Sequence, residues 1–104
     1  MHGLPLFDIV EAARRRDVGM ALAADARELL LTQARLFAHE YAARHGTVTA
    51  DDVAALMAAA GMNYADLGNA AGSVFREGFI WTGDVRQSAR VSTHRRLVRV
   101  WRIA

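Results

Sequence analysis

The chain has neither cysteine nor lysine, and its 104 residues include a single proline. The absence of cysteine excludes disulfide bonds, thiolate metal sites and a cysteine nucleophile. The longest stretch without a charged residue runs from Val53 to Ala65, which is too short to cross a bilayer. Two acidic residues, Asp8 and Glu11, lie near the N-terminus, which is not the pattern of a signal peptide. We therefore expect a cytoplasmic protein.

Apolar residues make up 53% of the chain, which is typical of one folded domain. The net charge of +2 hides an asymmetry between its two parts. Residues 1–66 have six arginines and nine acidic residues, whereas residues 67–104 have seven arginines and two acidic residues. This asymmetry suggests a polyanion site on the C-terminal part, and an ordinary solvated surface is the alternative.

The first part of the sequence predicts helices. Apolar residues at helical spacing between Leu6 and Ala13 indicate a first helix, and its continuation past Gly19 is left open. We interpret residues 1–24 as an N-terminal helical extension. A stronger amphipathic pattern predicts a helix at about 25–45, and Gly46 follows in the position where glycine usually ends a helix.

A third helix is predicted at about residues 50–60. Thr49 is placed to cap it, and the acidic pair Asp51 and Asp52 favours its positive N-terminal end. We therefore attribute both carboxylates to this helix terminus rather than to a metal or a general base. Gly61 ends the helix.

Asn63 is placed to cap a fourth helix at about residues 64–77, after a turn of only three residues. Two helices joined in this way form a helix-turn-helix, whose second helix enters the major groove of DNA. Gly68 and Gly72 each destabilise a helix interior relative to alanine, so their presence calls for a reason. They allow either a close approach of the helix to DNA or close packing against a neighbouring helix. The candidate DNA-binding residues of this recognition helix, with a plain solvated face as the alternative, are Tyr64, Asn69, Ser73 and Arg76.

The remainder, at about residues 79–103, predicts a β-hairpin that forms a wing. Phe79 to Thr82 is predicted as a short strand and Arg95 to Ile103 as a second strand, and Gly83-Asp84 is a pair of residues typical of a turn. The polar segment from Val85 to Arg96 contains arginine and hydroxyl side chains without an acidic residue, which suits phosphate contacts better than a solvated loop. The candidate wing contacts are Arg86, Ser88, Arg90, Ser92, Thr93, His94, Arg95 and Arg96.

The predicted fold is a single domain, residues 1–104, that is mainly α with a small β-hairpin (α+β). Residues 25–104 form a winged helix-turn-helix, and residues 1–24 add an N-terminal helix. Both faces of the last strand are partly apolar, so either the N-terminal helix or a second subunit should cover the second face. We hypothesise a homodimer that uses residues 1–45.

Residues 47–101 resemble small winged helix-turn-helix DNA-binding proteins of phages and prophages. The similar elements are TVTADDV before the helix pair, FREGFI after it, and SxxxSTHRRLVRVW at the end of the wing. The resemblance implies a protein that binds double-stranded DNA with some sequence preference. It also implies a regulator of phage or bacterial transcription or replication, in the bacterial or host cytoplasm.

Other kinds of site find little support in the sequence. His39 and His45 are six residues apart, whereas two zinc ligands on one helix need a spacing of four. No phosphate-binding glycine loop, nucleophile elbow or paired-carboxylate pattern is present, so we expect no enzyme, cofactor, metal, membrane or small-molecule ligand. The alternative function is a protein–protein adaptor or host-factor inhibitor on the same scaffold, anchored by Phe79, Trp81 and Trp101.

Overall fold

The computed structural model describes the backbone of residues 6–90 and 96–104, and the side chains of residues 24–90 and 96–104. Helical elements come first and a two-stranded antiparallel hairpin follows, which confirms the predicted mainly α, α+β class. No helix within these ranges is long and apolar enough to span a membrane. The elements are helix α1 (Leu6–His45), helix α2 (Ala50–Ala59), a 3₁₀ segment (Tyr64–Ser73), strand β1 (Phe79–Gln87) and strand β2 (Leu97–Ile103).

Helix α1 is one continuous helix of 40 residues. The helix therefore continues through Gly19, with no break between residues 6–24 and residues 25–45. A single glycine costs only about 1 kcal/mol in a helix interior relative to alanine, and the alanine- and leucine-rich sequence around it offsets that cost. The helix ends at His45, where Gly46 takes a positive φ of 87°.

The core forms against the C-terminal half of α1. Its innermost side chains are Leu31, Ala34, Ala38 and Ala42, spaced three or four residues apart along one face of the helix. Three of the four are alanines, and their small size allows the other elements to approach the helix closely. The remaining buried members of this core are Val48, Val53, Met57, Leu67, Val74 and Phe75.

Helix α2 begins with the predicted cap at Thr49. The Thr49 hydroxyl accepts a hydrogen bond from the Asp52 amide (3.3 Å), and the Asp52 carboxylate accepts one from the Thr49 amide (2.8 Å). This reciprocal pair is a capping box, and loss of such a cap typically costs about 1 kcal/mol. The helix ends at Ala59, and Gly61 reverses the chain with a φ of 80°.

The predicted fourth helix at residues 64–77 is wrong in type and extent. Asn63 does act as a cap, because its side chain accepts a hydrogen bond from the Ala65 amide (3.0 Å). The segment that follows is a 3₁₀ helix from Tyr64 to Ser73, interrupted at Gly68 by a φ of 55° and a ψ of −130°. Residues with a side chain rarely adopt this conformation, so Gly68 breaks the helix at its centre.

The predicted turn at Gly83-Asp84 is a bulge inside β1. Trp81 pairs with Trp101 and Val85 pairs with Arg99, so residues 82–84 lie opposite a single residue of β2. The Thr82 hydroxyl stabilises the bulge by donating a hydrogen bond to the Val100 carbonyl (2.9 Å). Glycine with positive φ is as common in bulges as in turns, so the same residues suit both structures.

The hairpin is joined to the helices through Val48 and Trp101. The two residues exchange backbone hydrogen bonds of 2.9 Å each, which places β2 between β1 and the α1–α2 connection. The indole of Trp101 stacks on Phe75 with ring centres 5.3 Å apart, and Phe75 meets Phe79 edge-on at the same distance. The sequence prediction missed this third strand-like contact, for which the β-branched run Thr47-Val48-Thr49 was the available signal.

Candidate nucleic-acid interface

The loop that follows β1 is fastened to the first turn of α2 through residues 88–90. The Asp51 carboxylate accepts hydrogen bonds from the Ser88 hydroxyl (2.8 Å), the Ala89 amide (2.9 Å) and the Arg90 Nε (2.6 Å). On the other side of the loop, the Ser88 amide donates to the Arg96 carbonyl (2.8 Å). Three consecutive residues that follow β1 are thus held by one acidic side chain.

This arrangement corrects the prediction for Ser88. Its side chain is only 1% exposed, and its hydroxyl is directed to Asp51 instead of to solvent. A buried hydroxyl with a carboxylate partner is not placed to contact a phosphate. Ser88 is therefore a structural residue at the start of the loop that follows β1.

Arg90 and Tyr64 belong to the same cluster, although the sequence analysis assigned them to the wing and the recognition helix respectively. The guanidinium carbon of Arg90 lies 5.0 Å from the centre of the Tyr64 ring, while its Nε contacts Asp51. Burial raises the pKa of Tyr64, and the nearby Arg90 cation opposes that rise. Arg90 thus lies between α2 and the 3₁₀ segment, partly buried, with its charge directed to Asp51.

The same contacts lower the pKa of the Asp51 carboxyl. Partial burial by itself raises that pKa, but the hydrogen bonds from Ser88, Ala89 and Arg90, together with the charge of Arg90, lower it by more. The net result is a pKa below the ordinary value of 3.8, so the side chain is ionised at neutral pH.

The predicted polar face of the recognition helix does not form. Asn69 and Arg76 are exposed, but Arg76 lies beyond the end of the 3₁₀ segment. Ser73 is half-buried, and its carbonyl accepts a hydrogen bond from the guanidinium of Arg35 on α1 (3.1 Å). A spacing of four residues aligns side chains on an α-helix but turns them about 120° apart on a 3₁₀ helix, because the latter has three residues per turn.

The exposed positive charge of the described chain is concentrated on the hairpin. Arg86 and Arg96, which were predicted to contact phosphates, are exposed as such contacts require. Arg99 and Arg102 on β2 are also exposed, although they are not among the contacts predicted from the sequence. The guanidinium of Arg99 lies 4.4 Å from the centre of the Trp81 ring. The remaining predicted wing contacts, Ser92, Thr93, His94 and Arg95, lie outside the described residues.

Large apolar side chains accompany these arginines on the hairpin. Ile80, Trp81, Val85 and Leu97 are each more than 40% exposed. Two of the three side chains predicted to anchor a protein partner are not fully exposed, because Phe79 and Trp101 pack against the core. Only Trp81 of that set is exposed.

The C-terminal end of α1 has no organised metal site. His39 is exposed, and the ring of His45 packs against Tyr41 at a tilt of 37°, with ring centres 4.3 Å apart. The negative charge of Asp52, together with burial, raises the pKa of Tyr41. Across the side chains that the structure describes, no group of three or more His, Asp or Glu residues is arranged to hold a metal ion.

The arrangement therefore combines a positively charged hairpin, an acidic clamp at its base and a short helical element with little polar surface. The chain matches no protein-family model, no curated protein and no solved structure.

Proposed function

We propose that the chain binds double-stranded DNA and that the hairpin makes the principal contact. The observation behind this proposal is the set of exposed arginines on one small hairpin, namely Arg86, Arg96, Arg99 and Arg102. Residues 79–104 contain a single acidic residue, Asp84. A concentration of guanidinium groups with so little opposing charge favours a polyanion, and Arg is the residue best suited to phosphate.

The order of the elements supports a winged helix-turn-helix. Helix α2 and the 3₁₀ segment are joined by a short turn at Gly61, and the hairpin that follows packs back on α1. The isolated bridge between Val48 and Trp101 adds a strand-like contact beside β2 and holds the hairpin next to the first residues of α2. In such an arrangement the hairpin lies beside the helix pair and reaches DNA as a wing.

The broken 3₁₀ segment argues for contacts with the DNA backbone rather than extensive base readout. A segment of 10 residues interrupted at Gly68 offers no continuous α-helix to fill a major groove. Phosphate contacts from the hairpin would then supply most of the affinity, with sequence preference limited to a few side chains such as Asn69. A regulator of phage or bacterial transcription or replication, acting in the cytoplasm, is the role that we propose for it.

A second copy of the chain fits the outer face of α1. Leu29 and Leu36 are 69% and 59% exposed, and they are seven residues apart on the side of the helix opposite the core. Leucine at this spacing is the pattern by which helices pair in coiled coils. A pair of chains joined along α1 would present two hairpins to a two-fold DNA site.

Selection of bound duplexes from a random library, followed by titration of selected and scrambled duplexes, tests this proposal. We expect binding to both, with the selected duplexes preferred by a modest factor because the phosphate contacts dominate. No binding to any duplex at low salt would reject the proposal.

The alternative function, a protein–protein adaptor or host-factor inhibitor, is favoured by one observation. The hairpin exposes Ile80, Trp81, Val85 and Leu97, and aromatic and aliphatic anchors of this kind form the centres of protein interfaces. A stoichiometric protein partner that is retained after nuclease treatment and lost with Leu97→Ser would support it. Retention of DNA binding by the same variant would favour the DNA proposal.

A further inference from the structure

Asp51 is an acidic side chain at the base of a hairpin that is otherwise rich in arginine. Its three hydrogen-bond donors come from residues 88–90, which lie 37 to 39 positions away along the chain. Each donor is of a different kind: a hydroxyl, a backbone amide and a guanidinium. Residues 88–90 are therefore fixed in position through their backbone as well as through two side chains.

Helix capping does not account for this carboxylate. The capping box at the start of α2 is formed by Thr49 and Asp52, and it does not require Asp51. Oδ1 of Asp51 accepts from Ser88 and Arg90, and Oδ2 accepts from Ala89. Both oxygens are thus directed to the wing.

Tyr64 completes the clamp from the 3₁₀ segment. The Arg90 guanidinium lies over its ring while the Arg90 Nε remains 2.6 Å from Asp51. The start of the wing loop is consequently held by both halves of the helix-turn-helix, α2 through Asp51 and the 3₁₀ segment through Tyr64. A change at either contact would alter the direction in which the loop leaves β1.

We propose that Asp51 is a positioning residue for DNA binding, which sets the direction of the wing relative to the helix-turn-helix. This inference rests on the DNA-binding function proposed above. In this role Asp51 orders residues 88–90 before DNA is bound, and the hydrogen bond from the Ser88 amide to the Arg96 carbonyl extends that order to Arg96. Arg96 can then meet a phosphate without a further loss of conformational entropy. Arg90 serves as the cationic partner of this clamp.

The proposal predicts an effect opposite to the one that charge alone predicts. Asp51→Asn removes a negative charge near a polyanion, so simple electrostatics predicts tighter binding to DNA. A positioning role predicts weaker binding, by about tenfold, because the loop must then be ordered on binding. The sign of the change in Kd therefore separates the two explanations.

The matched control is Asp66→Asn, which removes the same charge from an exposed side chain of the 3₁₀ segment. We expect this variant to bind a fixed duplex as tightly as the unmodified protein or slightly more tightly. We expect Asp51→Glu, which keeps the carboxylate, to restore most of the affinity lost in Asp51→Asn. Binding by Asp51→Asn that equals or exceeds that of Asp66→Asn would overturn the proposal.

Hydrogen exchange of the Ala89 amide gives a readout that does not depend on DNA. Its hydrogen bond to Asp51 should slow exchange in the full chain, and Asp51→Asn should accelerate it by tenfold or more, roughly the factor for a lost charge-assisted bond. If the unmodified chain failed to bind duplex DNA, the proposed function would fail while this exchange difference could still be measured. Equal exchange in the two proteins would contradict the clamp itself.

Ser88→Ala provides a second variant in case Asp51→Asn does not fold. It removes the buried hydroxyl bound to Asp51 and leaves every charge in place. We expect it to weaken duplex binding by about threefold, as for a single hydrogen bond of ordinary strength. An unchanged Kd with this folded variant would count against the positioning role.

Discussion

Trp81 and Trp101 are direct partners across the hairpin, yet they have different surroundings. Trp101 stacks on Phe75 at the edge of the core, and its backbone pairs with Val48. Trp81 is 42% exposed, lies under the Arg99 guanidinium and donates a hydrogen bond from its indole to the Asp84 carbonyl (2.8 Å). One tryptophan joins the hairpin to the helices, and the other faces solvent beside an arginine.

This difference predicts unequal effects on stability. Trp101→Ala should lower the free energy of unfolding by about 3–5 kcal/mol, because it removes a large side chain packed on the core and leaves a cavity. Trp81→Ala should lower it by roughly 1 kcal/mol, the value for a partly exposed ring with a cation–π contact. Urea unfolding followed by circular dichroism measures both, and equal losses would contradict the assigned packing.

Gly68 and Gly72 provide a second matched pair. Gly68→Ala should lower the free energy of unfolding by about 1–3 kcal/mol, because an alanine at a φ of 55° and a ψ of −130° is strained. Gly72 has no such backbone requirement and open space around an added Cβ, so Gly72→Ala should be neutral or stabilise by up to about 1 kcal/mol. Thermal unfolding of both variants tests the break in the 3₁₀ segment. Equal stability of the two would show that no break exists.

The clamp at Asp51 predicts a pH dependence of stability. Because the folded-state pKa of Asp51 is lowered, its contribution is present above the ordinary value of 3.8 and is lost as the pH falls through the folded-state pKa. Tyr64, whose pKa is raised above its ordinary value, stays neutral throughout this range, so its titration does not mask the effect.

The measurement is the difference in unfolding free energy between the unmodified chain and Asp51→Asn at several pH values. This difference should be constant between about pH 5 and pH 7 and should shrink below about pH 4, since the other acidic groups cancel in the subtraction. A difference that stays constant down to pH 2 would show that Asp51 makes no net favourable interaction as a carboxylate.

The outer face of α1 predicts self-association. The full chain should sediment as a dimer at tens of micromolar, and Leu29→Glu with Leu36→Glu should sediment as a monomer, because buried carboxylates oppose helix pairing. Ala24→Glu adds a charge to an exposed residue on a different face of α1 and should leave the dimer intact. A monomer for the unmodified chain, with and without DNA, would rule out the dimer.

The parts of the fold that sequence reasoning predicted are those governed by local chemistry. The cap at Thr49, the cap at Asn63 and the end of α1 at Gly46 are each recognised from a few adjacent residues. Strand β2 is recognised from its dense run of β-branched and aromatic residues. These signals do not depend on what lies elsewhere in the molecule.

The parts that sequence reasoning missed depend on tertiary partners or on a choice between near-equal local structures. Asp51 has the same local pattern as Asp52, and only the approach of the wing gives it a different role. Gly68 stands at a position where an α-helix and a 3₁₀ segment compete, and the cost of glycine favours the break. Gly83 suits a turn and a bulge equally, so pairing with β2 decides between them.

The salt dependence of duplex binding tests the DNA-binding proposal most directly. With about four phosphates contacted, the logarithm of the binding constant should fall with the logarithm of salt concentration with a slope near −3.6, at roughly 0.9 per phosphate. Arg86→Ala removes one phosphate contact and should make that slope shallower by roughly 0.9. Arg27→Ala removes the same charge from α1, away from the hairpin, and should leave the slope unchanged. Equal slopes for the two variants, or no binding at low salt, would contradict DNA binding through the hairpin.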